Sequence, residues 1–429
     1  MLERLFGLSA HGTTVRREVV AGATTFLAMA YIMFVNPAIL KDAGMDQGSV
    51  FVATCLAAAV GSAAMGLWAN YPIALAPGMG INAYFAYGVV QGMGYSWQVA
   101  LGAVFLSGLM FLVLALTPLR HWVMDAIPKS LKHAIAAGIG LLLAIIAMQN
   151  AGIVVAHPAT MVTVGKLTAP PVIVAAIAFF AIVALDRRGV PGALIIGVLG
   201  ATAVAVALGL APFRGVVDVP PSLAPTFLAL DLAGALHLGL VVVVLAFFFV
   251  DLFDNAGTLI GVAHTGGFLD QKGRLPRLDR ALTVASTAAM AGAALGTSTT
   301  TSYIESAAGI RAGGRTGLTA CVVAVLFVAS LVLAPLVLSV PGFATAPALL
   351  YVACMMTRGL AEIDWDDATE YAPAVVTAAT MPFTFSIAHG IAFGFITFAA
   401  VKLASGRIGD VTPAMAVLAI AFVLKFALI

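Results

Sequence analysis

The chain has 429 residues, of which 62% are apolar and only 9% charged, and its mean hydropathy is +1.08. A water-soluble chain of that length divides into two or three domains with far more charge, so a soluble multidomain protein is excluded and no nucleic-acid partner is expected. Apolar runs of about 17–25 residues follow one another from end to end, each long enough to cross the roughly 30 Å hydrocarbon core. They are continuous rather than alternating, which disfavours a β-barrel, so the class is an all-α polytopic membrane protein.

In chain order the pattern predicts spans at 18–40, 50–69, 71–91, 97–117, 128–150, 169–186 and 191–211. A second series follows at 237–262, 279–294, 296–312, 316–340, 345–360, 368–386 and 388–404. A further apolar segment at 412–428 is an extra span or an interfacial helix. The first run is too long for a signal-peptide core and is expected to remain as a span. Cys55, Cys321 and Cys354 are scattered through apolar runs, which suggests neither a disulfide framework nor a metal cluster.

With the N-terminus inside, Arg4, Arg16, Arg17, Arg120, Lys129, Lys132, Arg187, Arg188, Lys272 and most later basic residues fall on the inner side. Lys41, Lys166 and Arg214 fall outside. This positive-inside bias predicts a multi-pass protein of the plasma (bacterial inner) membrane with a cytoplasmic N-terminus. About fourteen spans then make one transporter domain of two seven-span repeats, about 18–211 and 237–404, inverted because seven is odd.

Two segments resist an ordinary helical reading. Asn70 to Tyr87 carries Pro72, Pro77, Gly78 and Gly80 before a helix-like run. Gly296 to Gly309 carries six consecutive hydroxyl residues, Thr297 to Ser302, then Tyr303 and Glu305. Each reads as an extended half followed by a half-helix, tolerated at membrane depth only where protein buries it or it lines a cavity. A matched pair of interrupted segments in two repeats points to a transporter's binding site. The two half-helix N-termini are expected to face each other near the midplane, presenting free N–H groups.

Few ionisable residues lie deep in the spans. Asp251, Asp254 and Glu305 stand out, and each costs about 2.5–3.5 kcal/mol on insertion scales. Asp251, Asp254, Asn255 and Thr258 share one helical face, the opposite one being apolar. Glu305 opens the second half-helix, and Asn82 holds the corresponding place in the first. A buried carboxylate can also merely cap a helix or pair with an arginine, and Asn82 can merely satisfy freed backbone groups. The threonine block reads as a β-segment with satisfied hydroxyls more readily than as a ligand set. His264 and His389 read as surface or interfacial, and Asp364, Asp366, Asp367 and Glu370 as a solvated face.

Carboxylates, an amide, backbone groups and nearby aromatics, with no deep lysine or arginine, disfavour an anionic cargo. They suit a flat neutral or weakly basic molecule with N–H donors, which a carboxylate accepts and an aromatic ring can stack on. No cofactor is expected beyond a coupling proton, for which Glu305 and Asp251 are the candidates. An intramembrane enzyme would need a metal cluster or a nucleophile–base pair, and the pattern supplies neither.

At these residues the chain resembles a known family. "GATTFLAMAYIMFVNPAIL", "ALAPGMGINAYFAY", "FVDLFDNAGTLIGVA" and "GTSTTTSYIESAAGIRAGGRTGLTA" are similar to the AzgA-like purine permeases of the nucleobase–cation symporter-2 family. The resemblance runs over nearly the whole chain. It implies two inverted seven-span repeats, a core domain sliding against a gate domain in a homodimer, and proton-coupled uptake of adenine, guanine or hypoxanthine. It also implies substrate-binding roles for Asn82, Asp251, Asp254 and Glu305; Thr258, Ser302 and Tyr303 are further candidates by their place beside these residues. Asn255 departs from the threonine common there. A same-fold carrier for uracil, xanthine or an anion is the alternative.

Overall fold

The computed structural model describes residues 2–117, 128–237, 240–270 and 274–428. Arg120 and Lys272 lie outside the described residues. Among those described, nine helices are long and apolar enough to cross a membrane. Three further helices, Ala193–Ala207, Leu278–Leu295 and Ala368–Thr384, stand where the sequence predicts spans seven, nine and thirteen. The last segment is helical, Pro413–Leu428, and packs on Ile387–Ala404.

Both interrupted segments take the predicted form. Strand β1 (Leu75–Pro77) precedes a short helix, Met79–Ala83, that widens into π turns over Tyr84–Gly92. The loop after Lys129–Asn150 forms a small exposed hairpin, β2 (Val154–His157) with β3 (Met161–Val164), which the sequence reading left as loop. Strand β4 (Thr300–Ser302) precedes the half-helix Ser306–Arg311.

β1 and β4 pair antiparallel, Leu75 opposite Ser302 and Pro77 opposite Thr300, and the Gly78 and Tyr303 N–H groups extend the ladder to Thr299 and Ala74. Prolines suit β1 because a two-stranded ribbon has only edges, and β-branched threonines favour the extended backbone of β4. Antiparallel strands send their half-helices off in opposite directions, so the two interrupted segments cross at the ribbon. Gly296 allows the turn into β4: its φ is 90°, and a Cβ there would lie 2.3 Å from Thr226 Cβ.

The first predicted span is broken. Val15–Met29 and Ile32–Asp42 meet at Ala30 and Tyr31, which puts Tyr31 at a joint rather than mid-helix. The helices sort into two packed groups. In one, Val15–Met29 and Gln47–Ala64 pack on Gly317–Ala329, and Trp97–Leu116 packs on Leu278–Leu295 and on the long helix Val241–Gly266. In the other, Lys129–Asn150 packs on Gly342–Thr357 and Ala368–Thr384, and Pro170–Arg187 on Ala193–Ala207. The ribbon belongs to the first group.

Two buried charges escaped the sequence reading. Glu18, fully buried, accepts hydrogen bonds from the N–H groups of Arg315, Thr316 and Thr319, capping the helix that starts at Gly317. Lys402, also fully buried, pairs with Glu370 at 2.5 Å and Asp410 at 3.3 Å. The acidic run is therefore only half a solvated face. Asp364 and Asp366 are exposed, whereas Glu370 holds Lys402 and Ser130, and Asp367 pairs with Arg407. Tertiary packing brings the basic ends of other helices onto this run, which charge spacing alone does not reveal.

Candidate functional site

A cavity lies between the two helix groups, at the ribbon. Its inner part, about 180 Å³, is bordered by Asp254 and Thr258 of the long helix, by Ser302 at the end of β4 and Tyr303 and Glu305 after it, and by Tyr31 at the joint of the first span. Facing them is an apolar wall of Met79, Val352, Met355 and Met356. It adjoins a wider part of about 430 Å³ that reaches Lys129, Lys132 and His133 at the start of the helix Lys129–Asn150. Such volumes fall in or near the range of preformed small-molecule sites.

The carboxylates of the long helix divide their work. Asp251 is buried, with one carboxylate oxygen accepting the Asn255 amide at 2.9 Å and the other the Thr299 hydroxyl at 3.1 Å. The Asn255 carbonyl accepts the Ser302 N–H at 2.8 Å. Asp251 and Asn255 thus clamp the long helix to β4, and neither borders the cavity. One turn on, Asp254 is half-buried and opens into both parts of the cavity, as does Thr258. The helical face is therefore polar throughout, but its two ends look in different directions.

Asn82 is not brought to the cavity wall. It is fully buried, donates to Asn36 at 2.5 Å, and accepts from the Ser298 hydroxyl. Asn36 in turn donates to Thr54 and Thr297 at 2.7 and 2.9 Å. This network fastens the first half-helix to the approach of β4 through one N–H and the carbonyl oxygen of the Asn82 amide. The hydroxyl block behaves in part as expected, since Thr297, Ser298 and Thr299 all have partners. Ser302 Oγ, however, is buried without a protein partner and borders the cavity. A buried hydroxyl left unpaired is costly, so Ser302 is open to a ligand's polar atom.

Glu305 is half-buried and accepts the Tyr31 hydroxyl at 2.8 Å. Tyr303 uses its hydroxyl on the Pro77 carbonyl at 2.6 Å, locking β1, and leaves its ring at the cavity. Tyr31 was not singled out from the sequence. Its signal is a lone hydroxyl in an apolar run ahead of Asn36-Pro37, but a tyrosine there looks like ordinary core. The methionine wall was missed as well, because apart from Met79 its residues belong to the helix Gly342–Thr357 of the other group, remote in sequence. Methionine adapts to irregular flat ligands. Of the expected aromatics, Phe253 borders the wider part, with the Lys132 ammonium 5.5 Å from its ring centre. His264 is exposed, and His389 packs on Phe426, away from the cavity.

The arrangement offers two carboxylates, several hydroxyls and a methionine face, and among the described residues no cation lines its inner part. It can accept N–H donors from a small flat molecule and hold a proton on a carboxyl group.

Comparison with known proteins agrees with that chemistry. A family model described as "Permease family" matches residues 16–393. The chain is 48% identical over 429 residues to "Adenine permease AdeP" of Escherichia coli, covering 100% of this chain and 96% of that one. It is 42% identical over 431 residues to "Guanine/hypoxanthine permease PbuO" of Bacillus subtilis, covering 98% and 99%. Among solved structures, the transmembrane domain of a cyanobacterium bicarbonate transporter, BicA, superposes with a TM-score of 0.66 at 16% identity, covering 88% of this chain and 96% of that one. At that identity the likeness concerns the fold alone.

Proposed function

The chain belongs to the permease family, and from that premise we propose that it carries a purine nucleobase across the plasma membrane together with a proton. The observation that carries this reading is the pairing of Asp254 and Glu305 on one wall of a cavity whose opposite wall is methionine and valine. A purine presents ring and exocyclic N–H groups along its edges, which carboxylates accept, and a flat apolar face that the methionines cover. The printed names of the relatives, adenine for one and guanine/hypoxanthine for another, support the same cargo class.

In this reading Asp254 and Glu305 hold the base, with Thr258, Ser302 and the Tyr303 ring around it. Asp251, Asn255, Asn82 and Asn36 keep the ribbon in register behind it. Glu305 is the preferred proton carrier over Asp251, because its carboxylate meets both the cavity and a hydroxyl that can follow its change of charge. Alternating access follows if the group bearing the ribbon slides past the group bearing the methionine wall, the cargo riding on the first. The wider part of the cavity reaches Lys129 and Lys132, and the positive-inside bias makes that side the cytoplasm. Assembly as a homodimer is part of the proposal through the family resemblance.

The test is uptake of radiolabelled adenine and hypoxanthine by cells lacking their own purine permeases. It is run with and without a protonophore, and against unlabelled adenine, guanine, hypoxanthine, xanthine and uracil. Uptake that collapses with the protonophore and is blocked by some purines but not by uracil is expected. Absence of uptake by properly inserted protein, or uptake indifferent to the protonophore, overturns the cargo or the coupling respectively.

A further inference from the structure

We propose that the wide part of the cavity is a phosphate subsite, so that purine nucleotides compete with the base for the carrier from the cytoplasmic side. The inference rests on the purine reading above and goes beyond it. The helix Lys129–Asn150 turns Lys129, Lys132, His133, Ala136 and Ile139 to the cavity, a spacing that keeps them on one face. Ala136 borders both parts of the cavity, so it marks the level of the base. At about 1.5 Å of rise per residue, Lys132 stands roughly 6 Å and Lys129 roughly 10 Å from it along the axis. A ribose-length spacer joins those levels.

Among the described residues lining this wide part, the charged side chains are Lys129 and Lys132 at the mouth and Asp254 at the other end, and Lys129 enters no ion pair. Lys132 is held over Phe253, the neighbour of Asp254, which keeps its ammonium group in the cavity rather than out in the headgroups. Positive-inside bias explains a basic helix end. It does not require both lysines and the histidine to face the cavity while Ser130, Leu131 and Ala134 are buried in packing. Lysine suits a phosphate as a mobile point charge, and the walls of a cleft reduce screening of that charge. A base pairs with the inner carboxylates equally well with or without its phosphate, so the nucleotide gains contacts and the nucleoside does not. Nucleotide accumulating in the cytosol then slows further uptake.

The experiment uses the purified full-length protein. Labelled adenine and hypoxanthine are displaced by AMP, IMP and GMP, by the matching nucleosides and by inorganic phosphate, and binding of labelled AMP and IMP is measured alongside. Nucleotides are expected to outcompete nucleosides by roughly tenfold or more. That advantage should vanish in a Lys129→Ala, Lys132→Ala double variant, with displacement by unlabelled base unchanged, and return in the Lys129→Arg, Lys132→Arg pair. Nucleotides no better than nucleosides, equal displacement by phosphate alone, or an advantage that survives the double alanine variant overturns the inference. Nucleotide binding with no base binding would instead sink the purine-carrier reading.

Discussion

Asp251 and Asp254 lie one helical turn apart and carry the same group, yet the structure predicts opposite phenotypes for Asp251→Ala and Asp254→Ala. Asp254 is half-buried at the cavity, so its removal leaves space that water can fill. Folding stability should then change little. A ligand N–H loses a charged acceptor, worth about 1.5–3 kcal/mol, which is roughly one to two orders of magnitude in Kd. Asp251 is buried and accepts from Asn255 and Thr299. Without it, the Thr299 hydroxyl loses its partner and the Asn255 amide N–H keeps only the backbone carbonyl of residue 251. Each buried polar group left unpaired costs about 1–3 kcal/mol, and the helix-to-ribbon clamp loosens. Asp251→Ala should therefore lower the thermal midpoint of the detergent-solubilised protein and lose transport through that instability. The assay pairs thermal unfolding with equilibrium binding of labelled base. Unchanged base affinity in Asp254→Ala, or a normal melting curve with lost binding in Asp251→Ala, refutes this division of roles.

Tyr31→Phe removes the one hydroxyl seen on Glu305 and should weaken base affinity or uptake by several-fold, about 1 kcal/mol; an unchanged pH profile and rate would show that the contact is idle. Lys402→Met leaves Glu370 half-buried without its cation and should destabilise by about 3–5 kcal/mol, with the Lys402→Met, Glu370→Gln double variant recovering much of the loss in thermal unfolding. Gly317→Ala should not yield folded protein, because a Cβ there would sit 1.9 Å from the Gly66 carbonyl oxygen; a monodisperse variant would contradict the close helix contact. At the loop before Ala368, the Thr369 hydroxyl and N–H and then Arg407 hold the Asp367 carboxyl down at about 2. Its stabilising contribution is complete above the ordinary carboxylate range near 4 and is lost as pH falls towards 2. Asp367→Asn should flatten that acid limb of the melting profile, and an identical limb in both proteins would remove the assignment.

Much of this protein is local information. Continuous apolar runs dictate membrane helices, because each peptide group must find its partner within its own segment once water is gone. Prolines and a threonine block dictate where the helix cannot continue, so both interrupted segments were legible, and so was the rarity of Asp251, Asp254 and Glu305. The expectation of an inverted repeat rests on counting spans. The side-chain directions did not follow. Asp251 and Asp254 share a helical face by any periodicity, and only the placement of β4 against the first of them makes one a clamp and the other a cavity wall. Asn82 matched its place by symmetry, but only the fold shows it bonded to Asn36 and Ser298, partners from distant segments. Tyr31, the methionine wall, Glu18 and Lys402 acquire meaning only when remote helices pack, since a residue's burial and partners are set by what lies across from it and not by its neighbours in the chain.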